Sequence, residues 1–285
     1  MGHYVGMDVG KDRTAVCVID RLGEPILERE VETDPEAIMN LLAPSRSAIE
    51  LAGLEGGGMS SWLTRCLRKE RWPVVQVDAG RLHRYAAASA AKTDRHDARV
   101  IAEALRGGLY REVFLKSVAS HELWTLLAQR ATLLQEARRL ETSVRGTLRS
   151  SGRRMQGRGG VYFRDRVTTL LEDEPNFLDL LTPTLDARDT LLAHHKDLNR
   201  RTLTVASQSP TAQLFMGIPG VGVITALTFI AAIDEPRRFQ TAGQLGSYIG
   251  LVPRVYQTGE TLIVGSITKR GNFYLRKTLF QAAMV

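Results

Sequence analysis

The first twenty residues constrain the fold most strongly. From His3 to Asp20 the chain reads HYVGMDVGKDRTAVCVID, two β-branched runs joined by a polar turn around Gly10, which predicts a β-hairpin. A third strand is expected over Ile26 to Val31, a helix over Glu36 to Leu42, and a strand over Ser47 to Leu51. An amphipathic helix over Met59 to Arg68 and a β-branched strand over Pro73 to Val77 follow. Strands in succession, then strand–helix alternation, imply an α/β domain. The string DRHDARVIAEAL next sets Ala98, Ile101, Ala102 and Leu105 at helical spacing, and Gly107 and Gly108 stop that helix. Asp94 and Asp97 fall in its first turn, where carboxylates complement the helix dipole.

No strand is predicted between 111 and 205. Leu126, Leu133 and Leu140 recur every seven residues within a long helical pattern, with Leu127, Leu134, Ala137 and Val144 beside them, as in a coiled-coil seam that packs on another helix. A second helical stretch follows, which Pro175 and Pro183 are expected to break, and the QSP string at 208–210 reads as a linker. Beyond it, FMGIPGVGVITALTFIAAI is a glycine-rich turn running into an apolar helix, and the last dozen residues form an amphipathic helix. Three regions are therefore expected: an α/β domain over 1–110, a helical coiled-coil arm over 111–207, and a mainly α C-terminal domain over 208–285.

Charge narrows the partners. The 285 residues carry 38 Lys and Arg against 31 Asp and Glu, a net charge of +7 that favours polyanions. Arg138, Arg139, Arg145, Arg149, Arg153, Arg154 and Arg158 crowd the end of the arm, with Glu141 as the acid among them. Cys17 and Cys66 lie in apolar patterns, so neither a disulfide framework nor a Cys-rich zinc site is expected. The polar residues Asp8, Lys11, Asp12 and Arg13 stand where a secretory leader would be apolar. The apolar stretch from Val221 to Ile233 falls short of the ~20 residues that span a bilayer. A cytoplasmic protein without a membrane span is expected.

Four acids stand out. Asp8 closes the first strand between Gly6 and Gly10, and Glu50 interrupts the SAIEL strand, where an acid is costly unless paired or metal-bound. Asp94 and Asp97, three apart on a helix, share a face. Such a set suits Mg²⁺ or Mn²⁺, hard cations that take carboxylate oxygens, and two such ions can support phosphoryl transfer at a phosphodiester. Each acid alone also has a plain structural role open to it, as a turn cap or a dipole complement. His96 and the His194–His195 pair read as helix-face residues. The GIPGVG turn has two readings. Gly220 and Gly222 could let backbone N–H groups approach a phosphate at a helix N-terminus, or could simply make a tight turn before a buried helix. The flanking Arg237, Arg238, Arg254, Lys269, Arg270, Arg276 and Lys277, with Glu260 nearby, favour the phosphate.

The segments YVGMDVGKDRTAVCVID, IELAGLEGG, AKTDRHDARVIAEAL, GIPGVGVITA and GLVPRVYQTGE…GSITKRGN…LRKTL occur in one order over most of the chain. That order resembles the DEDD transposases of bacterial insertion sequences, the insertion sequence one-ten family, relatives of the Piv-type DNA invertases. The resemblance implies a RuvC-like, ribonuclease-H-type N-terminal domain in which Asp8, Glu50, Asp94 and Asp97 match the four acids and bind magnesium. It also implies a recombinase that pairs with a bridge RNA specifying donor and target DNA, that works as a dimer or tetramer, and that resides in the bacterial cytoplasm with the nucleoid. The family places a nucleophilic Ser where this chain has Thr258, whose extra methyl crowds the approach to phosphorus. Ser266 is the nearest other hydroxyl. Family members continue past the last helix, so the resemblance also implies a shortened copy. Two alternatives stand beside this reading. A non-catalytic nucleic-acid-binding remnant would keep the basic residues and leave the acids structural, and an actin-like ATPase would need a second phosphate loop that the sequence lacks.

Overall fold

The computed structural model describes residues 2–78, 94–157, 159–259 and 261–285, with Asp94 described at the backbone only. The chain divides into two compact units, Met1–Leu115 and Lys116–Val285.

The first unit is built on a five-stranded sheet. β1 (His3–Val9), β2 (Arg13–Ile19) and β3 (Pro25–Glu32) form an antiparallel meander, and β4 (Ile49–Glu55) and β5 (Val74–Val77) add in parallel on the other side of β1. The order β3-β2-β1-β4-β5 is the ribonuclease-H-type arrangement. The crossovers carry α1 (Pro35–Leu42) and α2 (Ser60–Lys69). Strand alternation sends Val5, Met7, Val16, Val18 and Leu54 to the face on which Ile38, Leu42, Leu63 and Leu67 of these helices pack.

The opposite face is covered by α3 (Asp94–Arg106). Two glycines in the strands let it come close. A Cβ on Gly6 would lie 1.9 Å from the Ala98 carbonyl oxygen, and one on Gly53 would lie 2.8 Å from a Leu105 methyl. The direction of α3 follows from its contacts. Near its start Arg95 pairs with Glu30, which stands opposite Ala15 and hence beside Asp8 at the end of β1; at its finish Arg106 reaches the Arg21 carbonyl beyond the start of β1. The first turn of α3 therefore sits at the carboxyl edge of β1.

The second unit is helical, apart from one hairpin. α4 (Val118–Ser150) and α6 (Pro175–Gln208) lie antiparallel, joined through α5 (Phe163–Leu170). Leu127 packs with Ala206, Arg130 bonds Asn199, Glu141 bonds Arg188, and Val144 and Leu148 pack with Leu181 and Leu185. This seam, at 127, 130, 134, 137, 141, 144 and 148, has the alternating three–four spacing of a coiled coil and is filled from within the chain. The expected Leu126, Leu133 and Leu140 row is half-buried beside it.

Two expected breaks are absent. α6 runs straight through Pro183, which lies on the exposed side, where the carbonyl it leaves without a donor is open to water. The expected QSP linker is a tight joint, because Ser209 ends α6 and caps α7 (Pro210–Met216) by accepting from the Ala212 N–H at 3.2 Å. α8 (Val223–Ile233) follows the GIPGVG turn, and its Ala226, Leu227 and Ala231 share a core with Leu127 and Ala206, so arm and C-terminal region form one body. α9 (Ala242–Ile249), the hairpin of β6 (Pro253–Thr258) and β7 (Thr261–Ile267), and α10 (Phe273–Ala283) complete the unit. Among the described residues no helix is long and apolar enough to cross a membrane.

Candidate active site and nucleic-acid interface

The parallel register of β1 and β4 decides which acids share an edge. Met7 stands opposite Leu54, so the next residues on the two strands are Asp8 and Glu55. Met7 and Leu54 belong to the core under α1 and α2, whereas Gly6 and Gly53 face α3, and alternation puts Asp8 and Glu55 on the α3 side. Both are half-buried. Val77 pairs with Glu55, so Asp78, the residue after β5, adds a third acid at the same carboxyl edge. Asp97 is half-buried in the first turn of α3, which arrives at this edge from above the sheet; the Asp94 side chain lies outside the described residues. Among the described residues, no three of these groups close on a single point as a finished ligand set.

Glu50 is elsewhere. The β1–β4 register jumps from His3 opposite Ile49 to Tyr4 opposite Leu51, which leaves Glu50 as the extra residue of a bulge at the amino end of β4. Its carboxylate accepts from the Tyr4 hydroxyl at 2.6 Å and pairs with the Arg21 guanidinium. The Tyr4 hydrogen bond, then Arg21, hold it below the usual carboxylate range, and the same hydrogen bond pushes the Tyr4 phenol up. An exposed, paired acid at the far end of the strand has its structural explanation, and the expected grouping of Glu50 with Asp8 is corrected to Glu55. The missed signal is the string LEGGG, an acid closing a strand before a glycine turn, as Asp8 does. In open α/β sheets, sites lie beyond the carboxyl ends of the strands.

The basic residues of the second unit fall into different roles. Arg139 is exposed and lies 3.7 Å from Glu136, and Arg138 is exposed on α4. Arg145 donates to the carbonyls of Met155 and Gly157 at 3.3 and 2.8 Å, and Arg153 pairs with Glu174. Arg149 and Arg154 are exposed, and their side chains make no hydrogen bond or ion pair among the described residues; Arg158 lies outside them. α7, the GIPGVG turn and α8 form a helix–turn–helix of the expected hairpin kind. Its two glycines differ. Gly220, at φ +82°, abuts the end of α10, where a Cβ would lie 2.2 Å from the Ala282 carbonyl oxygen, while Gly222 is the exposed N-cap of α8 with open space around it.

Thr258 ends β6 opposite Thr261, at the tip of the hairpin, beside Gly259 at φ +56°; Glu260 lies outside the described residues. Ser266 lies near the other end of β7, roughly 16 Å along the strand from Thr261 at about 3.3 Å per residue, so it does not share the Thr258 position. Both hydroxyl residues are exposed. Lys269, at φ +56°, and Arg270 form a turn whose backbone is fixed on α9, with the Lys269 N–H donating to the Gly250 carbonyl at 3.2 Å, while their side chains stay exposed.

Comparison with known proteins decides the family. The DEDD transposase model of IS110 elements matches residues 5–152, and the model described as the IS116/IS110/IS902 transposase family matches residues 212–285. The chain belongs to the IS110 family of transposases. The transposase for insertion sequence element IS1111A of Coxiella burnetii is 29% identical over 98% of this chain and 76% of its own length. A probable family 20 transposase of Pseudomonas aeruginosa is 27% identical over 98% of this chain and 82% of its own length. RuvC of T. thermophilus, solved with a Holliday junction substrate, aligns with 13% identity and a TM-score of 0.31 over 40% of this chain and 100% of RuvC, a likeness too distant to carry weight. IS110 membership makes DNA transposition the activity class and leaves the ATPase alternative without support.

Proposed function

We propose that this IS110 transposase exchanges DNA strands between insertion-sequence ends and target DNA by metal-dependent phosphoryl transfer. Asp8, Glu55, Asp94 and Asp97 hold Mg²⁺ or Mn²⁺, and Thr258 supplies the nucleophilic hydroxyl. The observation that carries this reading is the shared edge, where Asp8 and Glu55 end adjacent parallel strands beneath the first turn of α3. The donor set fits the ion: carboxylate oxygens are the ligands hard divalent cations prefer, and the glycines 56–58 that follow Glu55 are exposed. A bound cation would supply charge stabilisation to a phosphate oxygen.

The chain's own groups do the rest. The Thr258 oxygen attacks phosphorus, a phosphothreonyl ester forms, and the displaced DNA strand leaves with a hydroxyl end. The position of Thr258 at a hairpin tip supports this role, because a tip can reach a backbone that a sheet interior cannot. The exposed arginines of the arm and the open Gly222 turn support binding of DNA and of a structured guide RNA through phosphate contacts, which position without reading sequence. The half-buried Leu126, Leu133 and Leu140 row supports assembly into a dimer or tetramer.

Covalent trapping tests this reading. With donor DNA, guide RNA and Mg²⁺, the chain should form a denaturant-resistant protein–DNA adduct that Thr258→Ala abolishes and Thr258→Ser retains. Adducts that persist in Thr258→Ala and vanish in Ser266→Ala would move the nucleophile, and absence of adducts from every form, Thr258→Ser included, would favour the non-catalytic remnant.

A further inference from the structure

The end of the arm holds a cleft that the catalytic reading does not use. Its volume is about 380 Å³, and four of its five lining residues are arginines: Arg145, Arg149, Arg153 and Arg154, with Met155. Two of the four are fixed. Arg145 is tied to the Met155 and Gly157 carbonyls and lies 5.4 Å from the Phe163 ring, while Arg153 is tied to the Ser151 carbonyl and Glu174 and lies 5.2 Å from the Phe177 ring. The other two, Arg149 and Arg154, are exposed, and their side chains make no hydrogen bond or ion pair among the described residues.

Among the described residues, the four guanidiniums around this cleft are offset by one bonded acid, Glu174 on Arg153. Like charges gathered this closely repel one another, and an anion placed among them relieves that repulsion. A guanidinium is also the side chain whose planar fork matches phosphate oxygens. Glu141, the acid expected among these arginines, is committed to buried Arg188 at 2.7 Å and so leaves the positive charge of the neighbouring surface uncancelled. That neighbouring surface is a second cleft of about 620 Å³, which shares Arg145 and is lined also by Arg138, by the Arg188-bound Glu141 and by the glycines 157, 159 and 160. Arg138, Arg145 and Arg149 thus run for about 16 Å along one face of α4 at 1.5 Å per residue.

We propose that the Arg145–Arg149–Arg153–Arg154 cleft is a seat for a backbone phosphate of a nucleic-acid strand that continues along α4 past Arg138. Arg145 and Arg153 are the fixed walls, and Arg149 and Arg154 close on the phosphate. The inference rests on the nucleic-acid reading above and deepens it, because it separates the arginines that shape the seat from those that grip the ligand.

Fluorescence anisotropy with the full chain across a salt series tests it, using a labelled RNA stem-loop in one arm and a labelled DNA duplex in the other. Arg149→Ala with Arg154→Ala removes only side chains that make no hydrogen bond or ion pair among the described residues, so circular dichroism should be unchanged. The double variant should bind at least about tenfold more weakly, and its slope of log K against log salt should fall by about 0.7–0.9 for each phosphate no longer neutralised. The corresponding double Lys variant should regain the slope and only part of the affinity. Loss confined to the stem-loop assigns the phosphate to RNA, and loss confined to the duplex assigns it to DNA. Wild-type binding matched by the double Ala variant in both affinity and slope would overturn the seat while leaving the nucleic-acid reading intact. Failure of the wild type to bind either probe would overturn both.

Discussion

Glu50 and Glu55 lie at opposite ends of one strand. Glu50 ties the amino end of β4 to Tyr4 and Arg21. Because Tyr4 and Arg21 hold its carboxyl below the ordinary range, its contribution to stability is complete above that range and is lost as pH falls through its lowered value. Thermal unfolding of Glu50→Gln should therefore show a lower Tm than wild type at pH 7, with the gap narrowing towards pH 3. Asp234 gives a second case. Burial alone would raise its carboxyl, but donation from the Ser120 hydroxyl and from the Ser117 N–H and hydroxyl outweighs burial and lowers it. Asp234→Ala should cost about 2–3 kcal/mol by urea unfolding at neutral pH, and much less in acid, where wild type has also lost the charge. Asp8 was legible in the sequence as a polar break in an apolar run, and Asp97 as one of two acids three apart in the first turn of a helix. Glu55 was not, because Gly53 reads as the end of a strand when its role is to admit Leu105 of α3, and the strand continues through it to Glu55.

At the scale of elements, the antiparallel pair α4 and α6 shows how far apolar periodicity locates a seam: Leu127, Leu134, Ala137 and Val144, expected beside the heptad leucines, lie on it. A heptad pattern correctly predicts a long helix with a seam. The seam also contains Arg130 and Glu141, which find Asn199 and Arg188 across the pair, and apolar periodicity leaves these two polar positions out. Only the fold supplies such partners. Arg188 is 2% exposed and bonds Glu141, Asp189 and the Gly160 carbonyl, so the pair lies deep in the helical body. Arg188→Met leaves the Glu141 charge buried without its partner and should cost about 3–5 kcal/mol by urea unfolding, whereas Arg188→Met with Glu141→Leu should recover most of the loss. The β6–β7 hairpin escaped the sequence reading because all its residues are exposed, so no alternation of buried and exposed positions marks it.

At the scale of the whole molecule, the chain is an IS110-family transposase in which the acids lie in the first compact unit and Thr258 in the second. The sheet order, the helical arm and the family were legible from segments that keep one order along the chain; the edge at which the acids meet became legible only through strand register. In the proposed reading this edge, with Glu55 and not Glu50, holds the catalytic metal. Titration of Mn²⁺ into the full chain, followed by the loss of the free-ion signal in electron paramagnetic resonance, tests it without depending on catalysis. Wild type and Glu50→Gln should bind Mn²⁺ alike, and Asp8→Asn and Glu55→Gln should each weaken binding at least about tenfold. Full binding in Glu55→Gln together with loss in Glu50→Gln would contradict the account.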